Sequence, residues 1–221
     1  EHMKDKAHAQ RLKEEFLRSM LAAQLAHALS AGARDAEEAF LGAMFYNLGK
    51  LLTEYYFPDE ADAIRRQLRL APAAGGARLH PDAQADRAAQ LVLGLGFEGL
   101  GMGVARHWSL PDSLQRCMRR PDGPLPTHLQ VGPERLRWLA AAASEVSDAL
   151  GHADEADLPQ RLERVVQQHG RALGLSLPDL RRAVDAARAT LADMAPVMGL
   201  SLPRGSRAEA VLDVPAATLP E

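Results

Sequence analysis

Leu12, Phe16, Met20, Leu21, Leu25, Ala28 and Leu29 recur three and four residues apart, which places them on one stripe of a helix over about residues 4–30. The same period returns along most of the chain, and no segment holds the two-residue alternation of a strand. Punctuation fits the period. Gly32 is a stop, and Asp35 with Glu38 three residues on reads as a capping box for a second helix to about Asn47. A break is expected near Gly49, with a short continuation to Tyr56, and Pro58 opens a helix to about Leu70. Residues 71–76 read as a loop. Helices follow over about 82–93 and 97–108, separated by Gly94-Leu95-Gly96. Ser109-Leu110-Pro111-Asp112 restarts a helix that ends near Arg120, because the prolines from Pro121 to Pro126 cannot continue it. A long Ala-rich helix runs from Pro133 to about Leu150, and two more cover about 157–173 and 178–194. The spacing predicts an all-α multi-helix bundle.

Composition supports this and excludes several classes. Hydrophobic residues make up 47 % of the 221, enough for a core, while aromatics are only 5 %, a balance that suits close-packed helices better than sheets. The net charge of −3 gives no electrostatic reason to expect nucleic acid. A single cysteine, Cys117, excludes an intrachain disulfide and a multi-cysteine zinc site. No apolar run reaches the roughly 20 residues that span a bilayer, and no signal peptide is visible, so the expected location is cytoplasmic.

Two stretches carry a resemblance. The segment Ala39-Phe40-Leu41-Gly42-Ala43-Met44-Phe45-Tyr46-Asn47-Leu48-Gly49-Lys50-Leu51-Leu52 resembles the Gly-Leu-Leu-His-Asp-Ile-Gly-Lys-Leu-Leu frame of the HD phosphohydrolase superfamily, with Tyr46-Asn47 standing where His-Asp would stand. The run from Leu93 to Pro111 is similar to Leu-Gly-x-x-His-x-x-x-Gly-x-x-Leu-x-x-x-Trp-x-Leu-Pro, with Gly94, Gly101, Trp108, Leu110 and Pro111 matching in order and spacing. Together they resemble the HDOD family, a degenerate, non-hydrolytic branch of that superfamily, over about residues 16–150. The resemblance implies an HD-domain-like helical domain over residues 4–150 without the further helical segment that usually precedes it, extra C-terminal helices packed on it over 151–198, and a flexible tail over 199–221. That leaves a fragment of a longer protein or a shortened relative as readings.

The same resemblance implies the fate of the site. By rough alignment Arg18 stands at the first metal-histidine position, Phe97 at the next, Arg119 or Arg120 at a later one, and Ser144-Glu145 near the late aspartate. An imidazole and a carboxylate hold a divalent ion well, whereas a phenol, an amide, a phenyl ring and a guanidinium do not. No metal, cofactor or catalytic residue is therefore expected, and without a metal there is no activated water. Gly42, Gly49, Gly94 and Gly101 are expected to serve close helix crossings and turns, with Lys50, Trp108, Leu110 and Pro111 as structural members of the motifs. The histidines are scattered, none four residues from another on a helix, and read as solvent-exposed; His152 with Asp154 is the one pair that could touch a metal. Functionally, the resemblance implies a non-enzymatic bacterial signal-transduction module. Its partners would be signalling proteins such as a kinase, a receiver or a cyclic-dinucleotide-turnover domain, with a homodimer possible and no membrane partner. The alternatives are a sensor binding a nucleotide or small anion through Arg18, Asn47 and Arg119, and a residual phosphohydrolase built from Glu98, His107 and Glu145.

Overall fold

The computed structural model describes residues 2–30, 32–70, 81–152 and 156–198. They form ten α-helices: α1 (His2–Ala28), α2 (Ala33–Tyr46), α3 (Leu48–Tyr56), α4 (Pro58–Leu70), α5 (Pro81–Leu93), α6 (Phe97–His107), α7 (Asp112–Met118), α8 (Pro133–His152), α9 (Leu158–Leu173) and α10 (Leu177–Val197). No strand occurs among the described residues, so the chain is an all-α bundle. The loop expected over 71–76, the tail over 199–221, His80, Asp154 and the His152 side chain lie outside the described residues.

Local chemistry explains most helix ends. Pro58 begins α4, followed by Asp59 and Glu60 in the first turn, with Arg69 in the last, so both ends complement the helix dipole. Gly174 closes α9 at φ 67°, a left-handed conformation that costs a glycine little. Two ends depart from the sequence-based expectation. α2 starts at Ala33 behind Gly32, and no side chain caps it; Asp35 already lies inside the first turn, where it acts on the dipole rather than as a cap. The capping box belongs to α10, where the Asp179 N–H donates to Ser176 Oγ at 3.3 Å and the Ser176 N–H to Asp179 Oδ2 at 3.1 Å.

Most of the buried apolar surface lies in one cluster drawn from α1, α2, α8, α9 and α10. Part of α1 is nearly enclosed: Leu21, Ala22, Ala23, Leu25 and Ala26 are each at most 1 % exposed, because α2, α8 and α10 all pack on it. The alanines of α8 let its neighbours approach closely. Two smaller clusters sit beside the main one: Leu48, Met102, Ala105 and Met118 join α3, α6 and α7, and Ile64, Ala88, Ala89 and Phe97 join α4, α5 and α6. No single described helix is long and apolar enough to cross a membrane; α5 and α6 carry enough apolar length only together, across a bend of 75°.

Candidate functional site

The helical break expected near Gly49 falls at Asn47 instead. Asn47 lies between α2 and α3 at φ −101° and ψ 19°, while Gly49 is helical. Interrupting the helix here turns the Asn47 side chain inward, where it is 7 % exposed and its Nδ2 donates to Ser144 Oγ on α8 at 2.7 Å. Its Oδ1 is buried without a hydrogen-bond partner. Tyr46, one residue earlier, belongs to the main core, and Phe97 belongs to the cluster of α4, α5 and α6.

Gly49 is required by packing. A Cβ there would enter the van der Waals envelope of the Phe97 carbonyl oxygen, and a Cβ on Gly101 would lie 3.1 Å from the Gly49 nitrogen. The α3–α6 crossing is therefore backbone against backbone, which only glycine allows. Gly42 lets α2 approach the side chain of Cys117 on α7, since a Cβ there would lie 2.6 Å from Cys117 Cβ. Gly94 takes φ 79° in the α5–α6 turn. Gly96 leaves room for the Asp86 carboxylate, whose Oδ1 accepts the Glu98 N–H at 3.1 Å and so caps the start of α6.

Around this crossing the charges close on one another. Lys50 Nζ lies 3.0 Å from Asp82 Oδ1. Arg120 Nη1 donates to the Asp82 carbonyl at 2.8 Å and meets Asp86 Oδ1 at 3.3 Å, while its backbone N–H reaches Glu98 Oε1 at 3.3 Å. Arg18 pairs with Glu15 at 2.8 Å and with Asp148 at 3.5 Å. Burial works against the Lys50 ammonium, but Asp82, then Asp148 and Glu15, outweigh it and hold its pKa above the ordinary value. The Arg18 guanidinium is likewise held above its ordinary value, because Glu15 and Asp148 outweigh burial. Burial pushes the Tyr46 phenol well above its usual range, and the Asp82 carboxylate adds to this.

This donor set does not fit the divalent ion that the HD-like frame implies. Asp82 is engaged by Lys50, and the cation of Arg120 sits on the same residue, so an arriving metal would meet two fixed positive charges. Among the described residues no three His, Cys, Asp or Glu side chains converge as a metal would require. Glu98 and His107 stand at opposite ends of α6, roughly 14 Å apart by helix rise, so they cannot join one centre.

The structure brings Tyr46, Asn47 and Lys50 together with Asp82, Glu98, Arg120 and Glu145. Arg18 reaches the same face of α8 one turn away, through Asp148 rather than through Asn47. Arg119 is not part of this network; it is exposed and lines a cleft with Arg116 and Arg137, while Arg120 is the arginine that turns inward. Trp108 is 53 % exposed, and Leu110 packs on the cluster of α3, α6 and α7. Pro111 stands at the N-cap of α7.

Two histidines depart from the solvent-exposed reading: His8 is half-buried with its Nδ1 out of reach of solvent, and His169 lies in the core. His169 is 2 % exposed, and its Nε2 lies 3.0 Å from Glu145 Oε1. It shares the buried face of α9 with Leu162, Val165 and Ala172, and that spacing was the available signal. Asp82 and Asp86 had a fainter one: two carboxylates four residues apart fall on one helix face.

The family model for the HDOD domain matches residues 2–124, which covers α1 to α7. No curated protein and no solved structure matches the chain. The match ends before α8, so Ser144, Glu145 and Asp148 complete the polar network from outside it. With more than half of its length matched, the chain belongs to the HDOD domain family, a family associated with signalling.

Proposed function

We propose that this chain is a non-enzymatic regulatory domain of bacterial, cytoplasmic signalling that acts through protein–protein contact. The observation that carries the reading is the Lys50–Asp82 pair with Arg120 bound to the same aspartate's carbonyl. Ammonium and guanidinium groups hold the ground that metal ligands would need, and the nearby carboxylates are spent on them. A phosphohydrolase of this frame needs a metal to generate its nucleophile at neutral pH. The helical bundle would instead offer a surface to a signalling partner such as a kinase, a receiver or a cyclic-dinucleotide-turnover domain, and binding would shift a helix-packing equilibrium.

The test is hydrolysis of phosphomonoester and phosphodiester chromogenic substrates by protein supplied with manganese and iron. No turnover above the protein-free blank is expected. Turnover that disappears in Asp82→Asn would overturn the reading.

A second reading rests on a separate observation. Asn47 Oδ1 and Arg120 Nε are both buried without a partner, and an unsatisfied buried polar atom is costly. A bound nucleotide or small anion offering a donor to the first and an acceptor to the second would relieve both. A thermal-shift series with nucleotides tests this: a concentration-dependent rise in melting temperature, lost in Asn47→Ala, supports the sensor, and a flat response rejects it.

A further inference from the structure

An open apolar groove lies away from the polar network. Leu12 and Phe16 of α1, Leu51, Tyr55 and Tyr56 of α3, and Trp108 after α6 line a groove of about 380 Å³. Tyr55 is 59 % exposed, Tyr56 64 % and Trp108 53 %. Large aromatic rings left in water on a shared groove are the composition of an interface centre rather than of an ordinary surface. Tyr55 and Tyr56 already meet edge to face at 4.6 Å between centroids, so part of the ordering cost of binding is met before any partner arrives.

The charge around the groove selects its occupant. Lys13 is the charged residue in its lining and has neither a hydrogen bond nor an ion pair among the described residues. Of the neighbouring carboxylates, Glu15 pairs with Arg18 and Glu54 is held by Arg65, while Glu14 accepts from the neutral amide of Gln10 and keeps its charge. Arg106 and His107, both exposed, form the last turn of α6 just before Trp108. Lys13 is thus the charge that the lining itself presents to an occupant, and it is positive.

We propose that this groove docks a short segment of a partner protein that presents two or three large apolar side chains and a carboxylate placed to meet Lys13. The apolar side chains fill the space between α1 and α3, Trp108 closes one wall, and the ammonium of Lys13 fixes the register. This rests on the protein-contact reading above, and it names the surface and the chemistry of what binds there. Failures of the two are separable. Phosphate-ester turnover would sink the regulatory reading and leave the groove standing, whereas failed peptide selection would sink the groove alone.

The test is selection of a randomised peptide library on the full chain, followed by affinity measurement on the enriched peptides with wild type, Trp108→Ala, Tyr55→Ser and Lys13→Glu. Enriched peptides should combine large apolar residues with Asp or Glu. Trp108→Ala and Tyr55→Ser should each weaken binding at least about tenfold. Lys13→Glu should weaken it as well, and replacing the peptide's acidic residue by Lys should recover binding to Lys13→Glu but not to wild type. All three side chains are at least partly exposed, so circular dichroism should show folded variants. No enrichment, enrichment without an acidic preference, or affinities indifferent to Trp108 and Lys13 would each overturn the proposal. So would a concentration-dependent dimer abolished by Trp108→Ala, since the occupant would then be a second copy.

Discussion

The polar network around Asn47 and the aromatic groove beside Trp108 lie on either side of α3, and they have opposite character. In the network nearly every charge is consumed within the protein: Lys50 by Asp82, Arg120 by Asp86 and the Asp82 carbonyl, Arg18 by Glu15 and Asp148. In the groove three large aromatics stay half in water, and a lysine has no partner among the described residues. Closed charge stabilises and positions helices; open aromatic surface is available to another molecule. The contrast teaches that charged side chains can serve as internal fasteners in one region of a helical bundle while large apolar rings stay exposed in another.

The most damaging way to break the closed side is to wedge the crossing beneath it. Gly49→Ala drives a methyl group into the Phe97 carbonyl and should cost about 3 kcal/mol or more, read as a lowered urea midpoint. Gly103→Ala on α6, where a Cβ meets nothing within 4 Å, should instead stabilise by up to about 1 kcal/mol. Equal effects from the two would mean that the α3–α6 approach is looser than described.

Lys50→Met comes next. It leaves Asp82 without its ammonium and should cost about 2–3 kcal/mol, moderated because the two side chains keep 17 % and 10 % exposure. Arg11→Ala breaks the 3.5 Å pair with Asp62, whose side chains are 31 % and 42 % exposed, and should cost under about 0.5 kcal/mol. Comparable losses would erase the distinction between a closed network and a surface pair.

A pH series sharpens the same point. Tyr46 and Lys50 both have folded-state pKa values above their unfolded ones. Their contribution is therefore fully present below about pH 10, where the unfolded groups begin to titrate, and is lost as pH rises through the folded values. The buried Cys117 thiol, pushed up to about 11, adds to the same loss, so the urea midpoint should hold from neutral pH to about 8 and then fall. Tyr46→Phe removes one of these titrating groups, so its alkaline decline should be shallower than that of wild type. A midpoint flat to pH 11 in wild type would contradict the buried placement of both side chains.

The groove should also respond weakly. Trp108→Ala should shift stability by less than about 1 kcal/mol, because the indole is half exposed. A loss several times larger would make Trp108 a core residue and close the groove as a binding surface.

Much of this fold is legible in the sequence, because helical periodicity, prolines at helix starts and glycines near helix ends are local signals. Pro58 and Leu70 bound α4 as expected, and Gly42, Gly49 and Gly101 stand at close helix approaches. The site was less legible, because its partners are remote in sequence. Asn47 meets Ser144 across 97 positions and Lys50 meets Asp82 across 32, and no periodicity reports such pairings. The choice between Arg119 and Arg120 depended on the direction of the chain leaving α7, which the prolines beyond it do not encode. His169 was hidden by its residue type, since a histidine on an apolar stripe satisfies the period while looking polar.

The central claim is that the inherited metal position is closed by the protein's own cations. Its most direct test is elemental analysis of protein expressed and purified with manganese and iron present. The account predicts less than about a tenth of an equivalent of either metal, because an ion would have to displace Lys50 and Arg120 from Asp82 and Asp86. Near-stoichiometric metal that is lost in Asp82→Asn would contradict it.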